Sequence, residues 1–109
     1  MDTLQTAMGL IAGAGDSKSY SMEAIMYAKA GNFTEARACI EKAKNAMVDT
    51  HDVQTELIRG EMTGEKSEIT LLMVHAQDHL TSAMFMRDIA AEFIDLYEKL
   101  ADKNIKEGE

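Results

Sequence analysis

Four polar side chains that can do chemistry lie within five residues of an otherwise apolar segment, LLMVHAQDHLTSAMFM at residues 71–86. His75 and His79 are four residues apart, so their side chains project from one face if the segment is helical. Histidine is largely neutral at cellular pH and can act as a nucleophile or a metal ligand. Gln77 and Asp78 lie between the two histidines. The segment therefore predicts a polar site carried by a helix.

The spacing of the histidines leaves more than one kind of chemistry open. Histidines at i and i+4 form the usual helical zinc pair, but HAQDH lacks the glutamate that follows the first histidine in the metalloprotease motif. We keep two alternatives to group transfer. One is a metal-binding helical protein that uses His75, His79 and Asp78. The other is an adaptor bundle in which the histidines have no chemical role.

Length and composition restrict the class of protein. The chain has 109 residues, which is one domain, and its 46% hydrophobic and 28% charged residues exclude a disordered chain. No apolar run approaches the roughly 20 residues that span a bilayer. The net charge of −8 argues against nucleic acid as a partner. The single cysteine, Cys39, and a start without a basic signal region predict a cytoplasmic protein, with Cys39 in the core.

Helix-forming residues dominate the chain, which contains no proline and no alternating run of β-branched residues. Two glycine-containing stretches, GN and MTGEKSEIT, separate three predicted helices. Thr34 and Ser67 are the predicted N-caps of the second and third helices. The third helix is predicted to end near Asp102, with residues 103–109 as a frayed polar tail. The pattern predicts an all-α fold, an antiparallel three-helix bundle.

The third helix has a wider apolar face than one bundle requires. At about 100° per residue, several side chains fall within roughly 40° of Asp78: Leu71, Ser82, Phe85, Ile89, Leu96 and Leu100. The apolar arc covers nearly half the circumference, whereas a bundle helix uses a stripe of about 100°. The excess predicts a second packing surface and hence an oligomer. If copies of Asp78 met on a symmetry axis, their charges would repel unless a cation or protons lay between them. The alternative is that Asp78 is solvated or ion-paired, in which case no cation is required.

The sequence VHAQDHL, within SEITLLMVHAQDHLTSAMFMRDIAAEFIDLYEKL, resembles the third helix of one family of proteins. This family is the lactose/cellobiose-type enzyme IIA component of the bacterial phosphoenolpyruvate-dependent sugar phosphotransferase system. MEAIMYAKAGNFTEARACIEKA and HDVQTELIRGEMTGEK resemble its helix hairpin and the following turn, so the resemblance extends from about Met8 to Leu100. Alanine after the first histidine of the motif is more similar to the cellobiose/chitobiose branch than to the lactose branch.

The resemblance implies a protomer of three helices that assembles as a nine-helix homotrimer. It implies that His75 accepts phosphate from the histidine phosphocarrier protein and passes it to a cysteine of the IIB component. This transfer drives uptake and phosphorylation of a β-glucoside-type disaccharide, which the membrane IIC component selects. Gln77 matches a polar neighbour that supports the histidine, and Asp78 matches a ligand of Mg²⁺ or a similar divalent cation on the three-fold axis. The resemblance implies no role for His51, His79 or Cys39.

Overall fold

Two turns that contain glycine divide the chain into three long helices. The computed structural model describes residues 2–108, with the side chains of residues 2–104. The helices are α1 (Thr3–Lys29), α2 (Phe33–Met62) and α3 (Leu71–Gly108). The first turn depends on Gly31, whose φ of 83° is a conformation that other residues rarely adopt. No strand occurs between residues 2 and 108. The predicted all-α bundle of three helices is confirmed.

The start of α2 differs from the predicted one. The N-cap residue is Asn32, whose side chain makes no capping hydrogen bond, and Thr34 already lies inside the helix. The predicted cap at Thr34 is therefore wrong. Phe33 explains the difference, because its ring packs against the buried cluster that contains Ile40. Burial of an aromatic ring stabilises the fold by more than one capping hydrogen bond, so packing decides where α2 begins.

The start of α3 is set by Thr70, whose Oγ1 accepts a hydrogen bond from the backbone N–H of Met73 at 3.1 Å. The predicted cap at Ser67 is therefore wrong. Thr70 directly precedes the apolar residues of α3, which places the cap next to the first turn that packs. At its other end α3 continues to Gly108, beyond the predicted boundary at Asp102. Fraying of residues 103–109 stays a prediction, and Glu109 lies outside the described residues.

The core is a seam of small and apolar side chains that recur every three or four residues in each helix. In α1 they are Ala7, Leu10, Ala14, Ser17, Ser21, Ala24 and Ala28. This period of 3.5 is typical of left-handed packing between helices. Because the α1 seam contains only one large side chain, both other helices pack closely along α1, whereas α2 and α3 contact each other less. None of the three helices, as described, is long and apolar enough to cross a membrane.

Gly13 marks a close approach of α1 to α2. A Cβ atom at this position would overlap Oγ1 of the buried Thr50, whereas a Cβ at Gly9 would meet nothing within 4 Å. We expect Gly13→Ala to destabilise the protein by about 1 kcal/mol, since the cost of overpacking exceeds the gain in helix propensity. Gly9→Ala, the matched control, should stabilise it by about 0.5–1 kcal/mol.

The measurement is urea unfolding of both variants at one protein concentration. Combining Gly13→Ala with Thr50→Ala should recover most of the loss, because the overlapping hydroxyl is then absent. Equal stabilisation by Gly13→Ala and Gly9→Ala would contradict the close approach.

Candidate functional site

The two histidines of α3 contact each other directly. His75 is exposed, and His79 is partly buried one turn later. Their Nε2 atoms are 3.0 Å apart, and the rings meet edge to face with centroids separated by 4.4 Å and planes at 86°. The i, i+4 spacing on a helix brings the rings together. His75 therefore has one edge held by His79 and the rest of its ring open to solvent.

Lys18 of α1 extends this pair into a chain of three side chains. Its Nζ lies 2.9 Å from Nδ1 of His79. Partial burial lowers the pKa of His79, and the charges of Lys18 and His75 lower it further, against an opposing effect of Asp78. The lowered pKa favours the neutral form of His79. The sequence pattern did not predict a role for Lys18, because its partner His79 lies 61 positions further along the chain. The only local signal is that Lys18 follows the buried seam residue Ser17.

The wide apolar arc of α3 divides into two faces. The inner face is buried in the bundle and includes Met73, Ala76, Leu80, Ala83, Ala90 and Ile94. Seven other apolar side chains are exposed, and we call them the outer face: Leu71, Val74, Phe85, Ile89, Phe93, Leu96 and Leu100. Leu71 is 86% exposed and Phe85 is 67% exposed. An exposed apolar stripe of this length, interrupted by Asp78 and Ser82, is typical of an interaction surface.

Asp78 lies on the outer face. It is exposed and stands two residues from each of the buried residues Ala76 and Leu80, so its side chain projects away from the bundle. Within the described chain, no lysine or arginine forms an ion pair with it. The ion-paired interpretation of Asp78 is therefore not supported within the protomer.

A metal site needs ligands that converge, and one copy of the chain does not bring enough of them together. Residues 2–104 contain no group of three or more histidine, cysteine, aspartate or glutamate side chains that could hold a metal ion. Zinc sites use three or four protein ligands, and His75, His79 and Asp78 do not form such a group, so the zinc alternative is not supported within one chain. A single carboxylate on the outer face suits a cation only if other copies of the chain supply further oxygen ligands.

Gln77 lies on a different side of α3 from the histidines. Its Oε1 accepts a hydrogen bond of 2.8 Å from Nε2 of Gln54 on α2, and its amide nitrogen lies 3.6 Å from the sulfur of Met73. The structure therefore brings Gln77 to α2, and not to His75. Its supporting role stays a prediction that would have to involve a partner or a second copy of the chain.

The family of the chain follows from its comparison with known proteins. Residues 5–98 match the family described as PTS system, Lactose/Cellobiose specific IIA subunit. The chain belongs to this family. It is 48% identical to the lichenan-specific phosphotransferase enzyme IIA component of Bacillus subtilis, over 91% of this chain and 90% of that protein. It is 40% identical to the N,N'-diacetylchitobiose-specific EIIA component of Escherichia coli, over 88% of this chain and 83% of that one.

Solved structures of IIA proteins share the fold of this IIA chain. The PTS cellobiose-specific enzyme IIA from Bacillus anthracis superposes with a TM-score of 0.91 at 47% identity, over 94% of each chain. A chain from the IIA(Chitobiose)–HPr complex of the Escherichia coli phosphotransferase system superposes with a TM-score of 0.78 at 36% identity, over 93% of this chain and 98% of that one. The family predicted from the histidine motif is confirmed.

Two other candidate residues of this IIA chain lie away from the histidine pair. Cys39 is buried, and burial raises the pKa of its thiol, with a smaller contribution from Glu23 against Lys42. A protonated and buried thiol is a poor nucleophile, so the predicted core role of Cys39 is confirmed. His51 is exposed on α2, and its backbone carbonyl accepts a hydrogen bond from Thr55.

Proposed function

We propose that this chain is a phosphoryl carrier of a sugar phosphotransferase system. His75 accepts phosphate from the histidine phosphocarrier protein and passes it to a cysteine of the IIB component. The observation that carries the proposal is the exposed ring of His75, held at one edge by His79, in a chain of the lactose/cellobiose IIA family. The structurally similar IIA(Chitobiose) protein has been solved in complex with HPr, which supports a phosphocarrier as the donor.

The geometry suits transfer between two histidines. A neutral imidazole has a lone pair that can attack a phosphorus atom, and the loose transition state of phosphoryl transfer depends mostly on positioning and charge. His79 and Lys18 restrict the ring of His75 before the partner arrives, which lowers the entropic cost of alignment. Donor and acceptor are both nitrogen atoms of imidazole rings, so the forward and reverse steps are nearly balanced. A carrier requires this balance.

A homotrimer is the second part of the proposal, and the outer face of α3 is its interface. We expect sedimentation equilibrium to give three times the chain mass at micromolar concentration, because the exposed stripe is too apolar to remain in water. Phe85→Asp should dissociate the assembly, since it places a charge in the middle of the stripe. Val48→Asp, at an exposed apolar position on α2, is the control and should leave the mass unchanged. A monomer at micromolar concentration would contradict the proposal.

A divalent cation on the trimer axis is the third part. Asp78 is the ligand that each protomer contributes, and three carboxylates together suit Mg²⁺ or Ca²⁺, both of which prefer oxygen ligands. The position of Asp78 on the outer face supports this assignment. The bound cation offsets the repulsion between the carboxylates and so stabilises the assembly.

The transported sugar is proposed to be a β-glucoside-type disaccharide. Relatives at 39–48% identity are named for lichenan, N,N'-diacetylchitobiose and cellobiose. The membrane IIC component selects the sugar, so the IIA chain contributes phosphate and not specificity. Because both phosphoryl partners work on the inner side of the membrane, a cytoplasmic location is part of the proposal.

The test of the proposed function is reconstitution of the phosphoryl chain. The protein is incubated with radiolabelled phosphoenolpyruvate, the general phosphotransferase proteins and the phosphocarrier. Rapid formation of an acid-labile phosphoprotein is expected, and the label should move to the IIB component when it is added. An adaptor bundle or a metal-binding protein would take up no label, and that result would contradict the proposal.

A further inference from the structure

Arg87 interrupts the inner face of α3 with a charge. Ala83 and Ala90 belong to two different clusters of the core, and Arg87 lies between them at the same spacing of three or four residues. Its side chain is 23% exposed, so the aliphatic stem lies against the bundle and the guanidinium group reaches toward solvent. An apolar side chain at this position could join the two clusters, so the fold by itself does not require an arginine there.

The ion pair that Arg87 forms is weak. Its Nε and Nη2 atoms both donate to Oδ1 of Asp88, at 3.4 and 3.3 Å, and the side chain of Asp88 is 73% exposed. Long hydrogen bonds to a solvated carboxylate contribute little to stability. A guanidinium group has five N–H donors. Asp88 therefore uses only part of the donor capacity of Arg87.

Arg87 lines an open groove between α2 and α3, with a volume of about 470 Å³. Binding sites for small molecules are of this size. Met47 and Val48 of α2 and Met84 of α3 form the apolar wall of the groove. The groove lies on the α2 side of α3, whereas the histidine pair contacts α1 through Lys18. It is therefore separate from the proposed phosphoryl site.

The polar lining of the groove combines donors with one carboxylate. Arg87 and Lys44 supply positive charge, and the ring of His51 supplies a further N–H donor. The ion pair of Lys44 is also weak, because its Nζ lies 3.5 Å from an exposed glutamate, Glu41. An arginine and a lysine together are typical of a phosphate site. Asp52 opposes a bare anion, but its oxygens accept hydrogen bonds from hydroxyl groups.

We propose that this groove binds a sugar phosphate. The phosphate group accepts hydrogen bonds from Arg87 and Lys44, and hydroxyl groups of the sugar donate to Asp52. The C–H face of the sugar packs against the apolar wall. Inorganic phosphate meets the same cations and the carboxylate but has no group that satisfies the wall, so it binds more weakly. The proposal goes beyond the phosphoryl-carrier function and involves no covalent step.

NMR titration of the ¹⁵N-labelled protein tests the proposal without any phosphoryl partner. Glucose 6-phosphate should shift the backbone amide signals of residues 44–52 and 84–87. Glucose should leave them unchanged, because it lacks the anion that the two cations bind. Inorganic phosphate should shift the same signals with an affinity about tenfold lower, which is the equivalent of one lost hydrogen bond to a charged group.

Variants of the lining assign each part of the ligand. Lys44→Met and Arg87→Met should each raise the Kd for glucose 6-phosphate about tenfold. Because Lys44 is exposed, Lys44→Met tests the site even if Arg87→Met alters the packing of the core. Arg59→Met is the control and should keep the wild-type Kd, since Arg59 is an exposed cation of α2 in a similar ion pair. Asp52→Leu should weaken binding of glucose 6-phosphate but not of inorganic phosphate.

Three results would overturn the proposal. The first is that glucose 6-phosphate shifts no signal of the groove. The second is that Lys44→Met and Arg87→Met bind glucose 6-phosphate as tightly as Arg59→Met does. The third is equal affinity for inorganic phosphate and glucose 6-phosphate, because the groove would then recognise only an anion. None of these measurements involves phosphorylation of the protein, so failure of the proposed function is a separate result.

Discussion

His75→Ala is expected to abolish phosphorylation of the protein by phosphoenolpyruvate, the general phosphotransferase proteins and the phosphocarrier. The variant lacks the only histidine of the contacting pair whose ring is open to a partner. Loss of the nucleophile from an enzyme with a covalent intermediate lowers the rate by roughly 10⁶-fold, so no label should be detectable on the time scale of the wild type. The readout is acid-labile radioactivity after rapid quenching, with peptide mass spectrometry to locate the phosphate.

The other two histidines are the controls for this result. His51→Ala should behave as wild type, because His51 lies on α2 away from the pair. His79→Ala should still become phosphorylated on His75, but more slowly, since the ring loses its hydrogen-bond partner. Phosphate on His51 or His79 in the wild type would show that the assignment of His75 is wrong.

Asp78→Leu is expected to give a trimer whose thermal stability no longer depends on divalent cations. If three copies of Asp78 converge at separations of about 4 Å, each pair of carboxylates repels by roughly 4 kcal/mol at an effective dielectric constant of 20. Chelator should therefore lower the melting temperature of the wild type at neutral pH. An apolar triad of similar volume has no such repulsion, so the leucine variant should melt at one temperature with and without chelator.

Two further variants sharpen the test. Asp78→Asn removes the charge and keeps the polar surface, so its melting temperature should fall between those of the wild type and Asp78→Leu. Asp52→Leu, at an exposed aspartate on α2, should keep the chelator sensitivity of the wild type. The axial cation would be ruled out if chelator left the melting temperature of the wild type unchanged and the Asp78→Leu variant dissociated.

Local patterns were sufficient for the three-helix fold and for the contact between the two histidines of α3. The absence of proline, the recurrence of small and apolar residues every three or four positions and the glycine at the first turn identify three helices, because these signals act between residues close in sequence. The contact between His75 and His79 also follows from a signal between residues close in sequence, since one helical turn brings residues i and i+4 together. The motif around them was also enough to predict the family.

The helix starts show where local signals stop being decisive. Thr34 and Ser67 have the chemistry of N-caps, yet neither caps a helix. Phe33 enters α2 because its ring packs against the core, and Thr70 caps α3 because it adjoins the first packed turn. Each cap contributes about 1 kcal/mol, which the burial of neighbouring side chains exceeds.

Only the tertiary structure decided how the wide arc of α3 is divided and which groups surround the histidines. Periodicity placed Asp78 among apolar residues, but the direction of the core depends on where α1 and α2 pack. Their positions put Asp78 outward and Gln77 against Gln54. The contact of Lys18 with His79 joins residues 61 positions apart. Such a contact leaves no periodic trace in the sequence, because it follows from the packing of whole helices.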